Sequence, residues 1–228
     1  MPDNLLIFDC DGVLVDSEPL SLGLLIDYCA QYGLALDMPQ ACDAFLGKPV
    51  ADSASEARRM FDVNVPDVDL EMFQREILTK FKAELKPTSG VANALAKLQM
   101  PKCVASSSNP ERIQTSLLLT GLADFFDGKL FSTDMVERGK PHPDVFLHAA
   151  KEMGFTSSNS IVIEDSPAGL QAAQAANMKT VAYTGGLHAP HANLAAKLET
   201  FSPDIMINDM AQLGDAITKL SSMKVSSN

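Results

Sequence analysis

The chain predicts an α/β fold: a doubly wound, mainly parallel, Rossmann-like sheet carrying an inserted all-helical cap. Three observations carry that prediction. Short β-branched runs alternate with alanine-rich helical stretches, the rhythm of parallel strands joined by right-handed helical crossovers. The rhythm breaks once, from Ser17 to about Lys86, where only helical patterns are found. And the first apolar run ends in two acids, Asp9 and Asp11, followed at once by Gly12.

In chain order, Leu5–Phe8 is an apolar run too short for anything but a buried strand. Side chains of an extended chain alternate faces, so Asp9 and Asp11 would point the same way, about 7 Å apart along the strand. Two acids aimed into one space repel unless a cation, a proton or a reaction uses them. Gly12 permits a sharp turn that carries the pair off the sheet edge. Taken alone, Asp-x-Asp-Gly is equally an ordinary acidic turn. Helical patterns follow at Leu20–Gln31, Ser53–Phe61 and Leu70–Leu85, separated by Pro39, Pro49, Pro66 and Pro87. Residues 17–86 are therefore read as a helical cap standing over the carboxyl edge of the sheet, where ligands of such folds bind. Residues 1–16 and 87–228 form the core, with further strands at Cys103–Ala105, Leu130–Phe131, Ser160–Ile163, Thr180–Tyr183 and Ile205–Ile207. The polar end, Ser221 to Asn228, is expected to fray.

Composition narrows the function. At 228 residues and 46% hydrophobic content the chain can bury a substantial core. A net charge of -11 with no Lys/Arg cluster argues against nucleic acid or an acidic membrane as partner, while leaving room for one small anion. Cys10, Cys29, Cys42 and Cys103 have no C-x-x-C spacing and read as reduced core thiols of a cytoplasmic protein. No basic-then-apolar leader and no run of membrane length is present. Monomer is the default expectation for assembly.

Three later segments each follow a strand and open a helix with proline near its first turn: Ser106–Pro110, Lys140–Pro143 and Glu164–Pro167. Asn109 and Ser166 suit helix N-caps, with Pro110 and Pro167 at the first helical position, where a missing N–H costs nothing. Helix starts offer free N–H groups and partial positive charge to a phosphate. Asp9, Asp165 and Glu164 supply hard oxygens that suit Mg²⁺. Ser106 and Ser107 offer hydroxyl and N–H groups, and Lys140 a charge to offset a transferring phosphoryl group. No Ser-His-Asp arrangement, thiol nucleophile or glycine-rich phosphate loop is visible, so the nucleophile should be a carboxylate.

With these residues in place the chain resembles the haloacid dehalogenase superfamily, in its branch with a small helical cap after the first strand. Asp9-x-Asp11-Gly-Val-Leu-Val-Asp16-Ser17-Glu18 is similar to the family's first motif, Ser106 to its second, Lys140-Pro141-x-Pro143 to its third and Glu164-Asp165-Ser166-x-Ala168-Gly169 to its fourth. The resemblance implies a phosphatase that acts on a small phosphate ester, with Asp9 as nucleophile and Asp11 as acid and then base. It implies Mg²⁺ held by Asp9, Asp165 and the Asp11 carbonyl, Glu164 acting through water, and a specificity loop at Gly47-Lys48-Pro49. The like charges of Asp9, Glu164 and Asp165 are expected to raise the Asp11 pKa. A sugar phosphate or a sugar-acid phosphate such as 6-phosphogluconate is the favoured substrate, with phosphoglycolate also fitting. A β-phosphoglucomutase-like mutase is the alternative, disfavoured because Ser21 stands where such mutases carry histidine. A haloacid dehalogenase needs neither the second aspartate nor Mg²⁺, and a phospho-receiver needs no cap. His188 and His191, three apart with Pro190 between them and no partner thiol or acid nearby in sequence, do not read as a metal site, Gly185-Gly186 reads as a turn, and Lys48 equally as a solvated lysine.

Overall fold

The computed structural model describes residues 4–222. Its single sheet has six strands: β1 (Leu5–Phe8), β2 (Lys102–Ser106), β3 (Leu130–Ser132), β4 (Ser160–Glu164), β5 (Lys179–Tyr183) and β6 (Ile205–Ile207). Their spatial order is β3-β2-β1-β4-β5-β6 and every pairing is parallel. The order therefore reverses at β1, which lies between β2 and β4, with Ile7 beside both Cys103 and Val162. In an open α/β sheet that reversal opens a crevice outside the carboxyl ends of the strands. Asp9 stands there, one residue past the end of β1.

Both faces of the sheet are covered, which is why its strands read as unbroken apolar runs. Leu5, Ile7, Cys103, Ala105 and Val162 pack beneath Val145, Phe146 and Ala149 of α7 (Asp144–Glu152) and Ala172 and Ala173 of α8 (Pro167–Ala175). Leu6, Phe8, Val104, Ile161 and Ile163 face the other way. They are covered by Val91 and Leu95 of α5 (Val91–Lys97), Ile113 and Leu117 of α6 (Pro110–Leu119), Leu194 and Leu198 of α9 (Leu194–Glu199), and Ile217 and Leu220 of α10 (Leu213–Ser222). Each fully buried Leu, Ile or Phe contributes roughly 1.5–3 kcal/mol.

Between β1 and α5 run four helices: α1 (Glu18–Ala30), α2 (Met38–Phe45), α3 (Ser53–Phe61) and α4 (Leu70–Glu84). Among the described residues this stretch contains no strand, as the pattern predicts. The sequence reading missed α2, because it took Pro39 for a separator. Pro39 sits in the first turn instead, where proline is tolerated, and Asp37 and Gln40 cap the helix reciprocally. Leu22, Leu25, Phe73, Ile77 and Phe81 of these helices join the same apolar cluster as Leu6 and Phe8.

The C-terminal expectation needs correction. Ser221 and Ser222 complete α10, and the Ser221 hydroxyl donates to Ile217 O while accepting from Asn4 Nδ2. Residues 223–228 lie outside the described residues. All four cysteines are buried free thiols, and no helix among the described residues is long and apolar enough to cross a membrane.

Candidate active site

The N–H of Asp9 donates to Ile163 O at 2.9 Å, which ties the exit of β1 to the end of β4. The chain then turns sharply at Gly12, whose φ of +80° disfavours any side chain. A second reason for glycine is space, since a Cβ there would lie 1.8 Å from Asp165 Oδ2. The turn thus brings backbone against the loop that follows β4.

Lys140, between β3 and α7, reaches into this space with its side chain only 3% exposed. Its Nζ donates to Asp9 Oδ1 at 2.7 Å, Glu164 Oε1 at 2.5 Å and Ala105 O at 3.1 Å, so all three ammonium protons are used. The ammonium also lies over the Phe146 ring, with Nζ 4.9 Å from its centre. Glu164 ends β4, and its other oxygen accepts from the N–H and hydroxyl of Ser166 at 2.8 and 2.9 Å. The Ser166 hydroxyl in turn accepts from Gly169 N and caps α8, as its sequence context predicts. Gly169 lets the helix settle onto the carboxylate: a Cβ there would be 1.8 Å from Glu164 Oε1.

Carboxylate oxygens of Asp9, Glu164 and Asp165, all buried, lie within 4.8 Å of one another. Burial drives the Asp9 carboxyl well above its ordinary 3.8; Lys140 opposes that, and Glu164, Asp165 and Asp11 add to it. Asp165 is raised in the same way, first by burial and then by Glu164. Lys140 is pushed up although burial opposes it, because Asp9 and Glu164 favour its charged form. Three buried carboxylates against one ammonium leave two uncompensated negative charges on hard oxygen donors, the set that a hard divalent cation fits. Glu164 is committed on both oxygens to Lys140 and Ser166, so Asp9 and Asp165 are the better placed direct ligands.

Asp11 engages a different set of partners. It accepts from the Ser17 and Ser108 hydroxyls, each at 2.6 Å, and pairs with Arg112 Nη2 at 2.9 Å. Arg112 belongs to the first turn of α6 and lies 5.0 Å over the ring of Phe81 from α4. Burial raises the Asp11 carboxyl, yet the Arg112 charge and the three hydrogen bonds outweigh it and hold the pKa below 3.8. The expectation of a raised Asp11 is therefore corrected: a guanidinium 2.9 Å away and three hydrogen bonds favour the carboxylate form. Raised instead is the Glu18 carboxyl in the first turn of α1, pushed up to about 7 by burial, Asp11 and Asp165.

Ser106 closes β2 in a buried position, and its hydroxyl accepts from Ser108 N at 3.1 Å. Ser107 is exposed at the head of the same loop, and Asn109 caps α6 through Arg112 N at 2.8 Å. Gly47 and Lys48 stand outside the carboxylate network, where Lys48 Nζ donates to Ala44 O and pairs with Glu56 at 2.6 Å. The sequence reading missed Arg112, and it weighed His188 only as half of a metal pair with His191 and set it aside. His188 is 1% exposed with Nε2 3.3 Å from Asp165 Oδ2, whereas His191 is exposed. Neither residue carries a local signal, because its partner lies 101 or 23 positions away in sequence.

The family described as haloacid dehalogenase-like hydrolase matches residues 6–183. The chain is 29% identical over 182 residues to the 6-phosphogluconate phosphatase of Escherichia coli, covering 79% of this chain and 82% of that one. It is 31% identical over 182 residues to the fructose-1-phosphate phosphatase YqaB of the same organism, covering 77% and 94%. A solved haloacid dehalogenase-like protein of unknown function from Agrobacterium tumefaciens superposes with a TM-score of 0.87 at 28% identity, over 96% of this chain and 99% of that one. With its acids and its lysine gathered at the switch point of a 3-2-1-4-5-6 sheet, this chain belongs to the haloacid dehalogenase-like hydrolases.

Proposed function

We propose that the protein is a Mg²⁺-dependent phosphatase of small phosphorylated metabolites that works through a phosphoaspartate on Asp9. The observation that carries this reading is Lys140 Nζ, shared between Asp9 and Glu164 beside Asp165 at the carboxyl edge of the sheet. That arrangement supports Asp9 as nucleophile, with Lys140 and a bound cation keeping it ionised despite its burial. Asp9, Asp165 and the Asp11 carbonyl would hold Mg²⁺, with Glu164 behind them, and the ion would supply charge for the phosphoryl oxygens. Ser106, Ser107 and the N–H groups opening α6 would grip the phosphate.

Asp11 would protonate the leaving oxygen and then take a proton from water. Held ionised by Arg112, Ser17 and Ser108, it is poised for the second step, and the first requires it to leave that harness and gain a proton. Residues 17–86 would serve as the cap that excludes water, over a core of 1–16 and 87–228. Gly47 and Lys48 would reach the substrate only if Lys48 exchanges Glu56 for it. The relatives named as phosphatases of 6-phosphogluconate and fructose 1-phosphate support a sugar-phosphate or sugar-acid phosphate substrate.

A panel of phosphorylated metabolites with Mg²⁺ tests this. Phosphate release from sugar phosphates, abolished in Asp9→Asn, is the expected result; turnover by Asp9→Asn at the wild-type rate refutes the assignment.

A further inference from the structure

We infer that His188 is a positioning residue for Asp165, holding that carboxylate in place for the cation from behind. The inference rests on the proposed reading of Asp165 as a direct ligand. His188 comes from the loop after β5, and its imidazole is 1% exposed with Nε2 3.3 Å from Asp165 Oδ2. Among the described residues Nδ1 is buried without a hydrogen-bond partner, which leaves the Nε2 contact with Asp165 as the polar contact of this ring. A neutral imidazole has one N–H to give, and at Nε2 that group would be in close contact with Asp165 Oδ2.

The surrounding backbone is shaped around this pair. A Cβ on Gly12 would lie 1.8 Å from Asp165 Oδ2 and 3.1 Å from His188 Cε1. One on Gly186 would lie 2.9 Å from His188 Cε1 and 3.0 Å from Nδ1, although Gly186 has no left-handed φ that calls for glycine. Two glycines thus leave room for an imidazole against a carboxylate. Leu187 N also donates to Asp16 Oδ1 at 3.1 Å, which fastens the loop to the turn that carries Asp11 and Gly12. Partners of this kind orient a ligating carboxylate, and their loss typically weakens metal binding by about 10–100-fold.

Mg²⁺ titrated calorimetrically into purified protein tests the inference without reference to turnover. His188→Leu, similar in volume but without a donor, should raise the Kd for Mg²⁺ by roughly 10–100-fold, and His188→Gln, whose amide can reach Asp165, should recover most of the loss. A lowered melting temperature in EDTA with an unchanged Kd means that His188 only fills space and overturns the inference. Should His188→Leu fail to fold, Gly186→Ala presses on the ring, and on Gly12 O at 3.1 Å, while keeping the His188 and Asp165 side chains; it too should weaken Mg²⁺, and an unchanged Kd overturns the inference. Asp165→Asn separates the two layers. Loss of Mg²⁺ binding there with unchanged affinity in the His188 variants defeats only the positioning role, whereas retained affinity in Asp165→Asn defeats the ligand reading and this inference together.

Discussion

Replacing Lys140 by methionine removes one charge from the centre of the site while keeping an unbranched side chain of similar length. In the native protein the ammonium satisfies Asp9 and Glu164 at 2.7 and 2.5 Å in a space 3% exposed. Without it, three buried carboxylates face one another with no cation of their own. Removing one partner of a buried ion pair costs about 3–5 kcal/mol, because the charge left behind is neither solvated nor paired. For a chain of this size that corresponds to a fall in Tm of roughly 6–20 °C, taking about 2–4 °C per kcal/mol. The pH dependence has a definite sign. The native pKa of Lys140 lies above its ordinary 10.5, so its contribution is complete below that value and fades only above it. The raised acids Asp9 and Asp165 stabilise the fold when protonated, so their cost grows as pH climbs from their ordinary 3.8 through the raised native values. Thermal unfolding in EDTA should therefore show a gap between wild type and Lys140→Met that widens from pH 5 to pH 8 and narrows when Mg²⁺ is added. A shift under about 2 °C at pH 8, or a gap independent of pH, refutes this electrostatic reasoning.

Metal removal should act in the same sense in the wild type: the rise in Tm on adding Mg²⁺ is expected to be larger at pH 8 than at pH 5.5, because protons compete with the ion for the raised carboxylates Asp9 and Asp165 more strongly at the lower pH, and equal rises at both would contradict the raised pKa values. Gly169→Ala, a change worth up to about 1 kcal/mol in favour of an ordinary helix, should instead destabilise by about 1–3 kcal/mol and lower kcat, since its Cβ meets the fixed Glu164 carboxylate; chemical denaturation showing a gain would count against that packing. Arg112→Met should raise the Asp11 pKa by removing the charge that holds it down, read as a ¹³C carboxyl titration moving to higher pH, and an unmoved titration would show that Ser17 and Ser108 suffice.

Much of the architecture was legible because parallel strands buried on both faces must be short apolar runs, as Leu5–Phe8 and Ser160–Ile163 are, the second continuing by one residue to Glu164 in the structure. The convergence of Asp9, Lys140, Glu164 and Asp165 was legible for a related reason: each lies just past a strand or before a proline-marked helix start, and the topology brings those ends together. What escaped notice was what depends on side chains meeting across the fold. Helix α2 was hidden by a proline in its first turn rather than after its end. Arg112 looks like any surface arginine of a helix start, yet its guanidinium reverses the shift expected for Asp11. His188 stands in a glycine-containing turn that reads as a loop, and only the folded chain sets its ring against Asp165.

The account depends most on Asp9 forming a bond to phosphorus. Enzyme quenched during turnover of a sugar phosphate and reduced with borohydride, then digested and sequenced by mass spectrometry, tests it directly, because reduction converts a phosphoaspartyl residue to homoserine. The account predicts homoserine at position 9 in the wild type and none in Asp9→Asn. Rapid phosphate release with intact aspartate at position 9, or homoserine at position 11 instead, would contradict it.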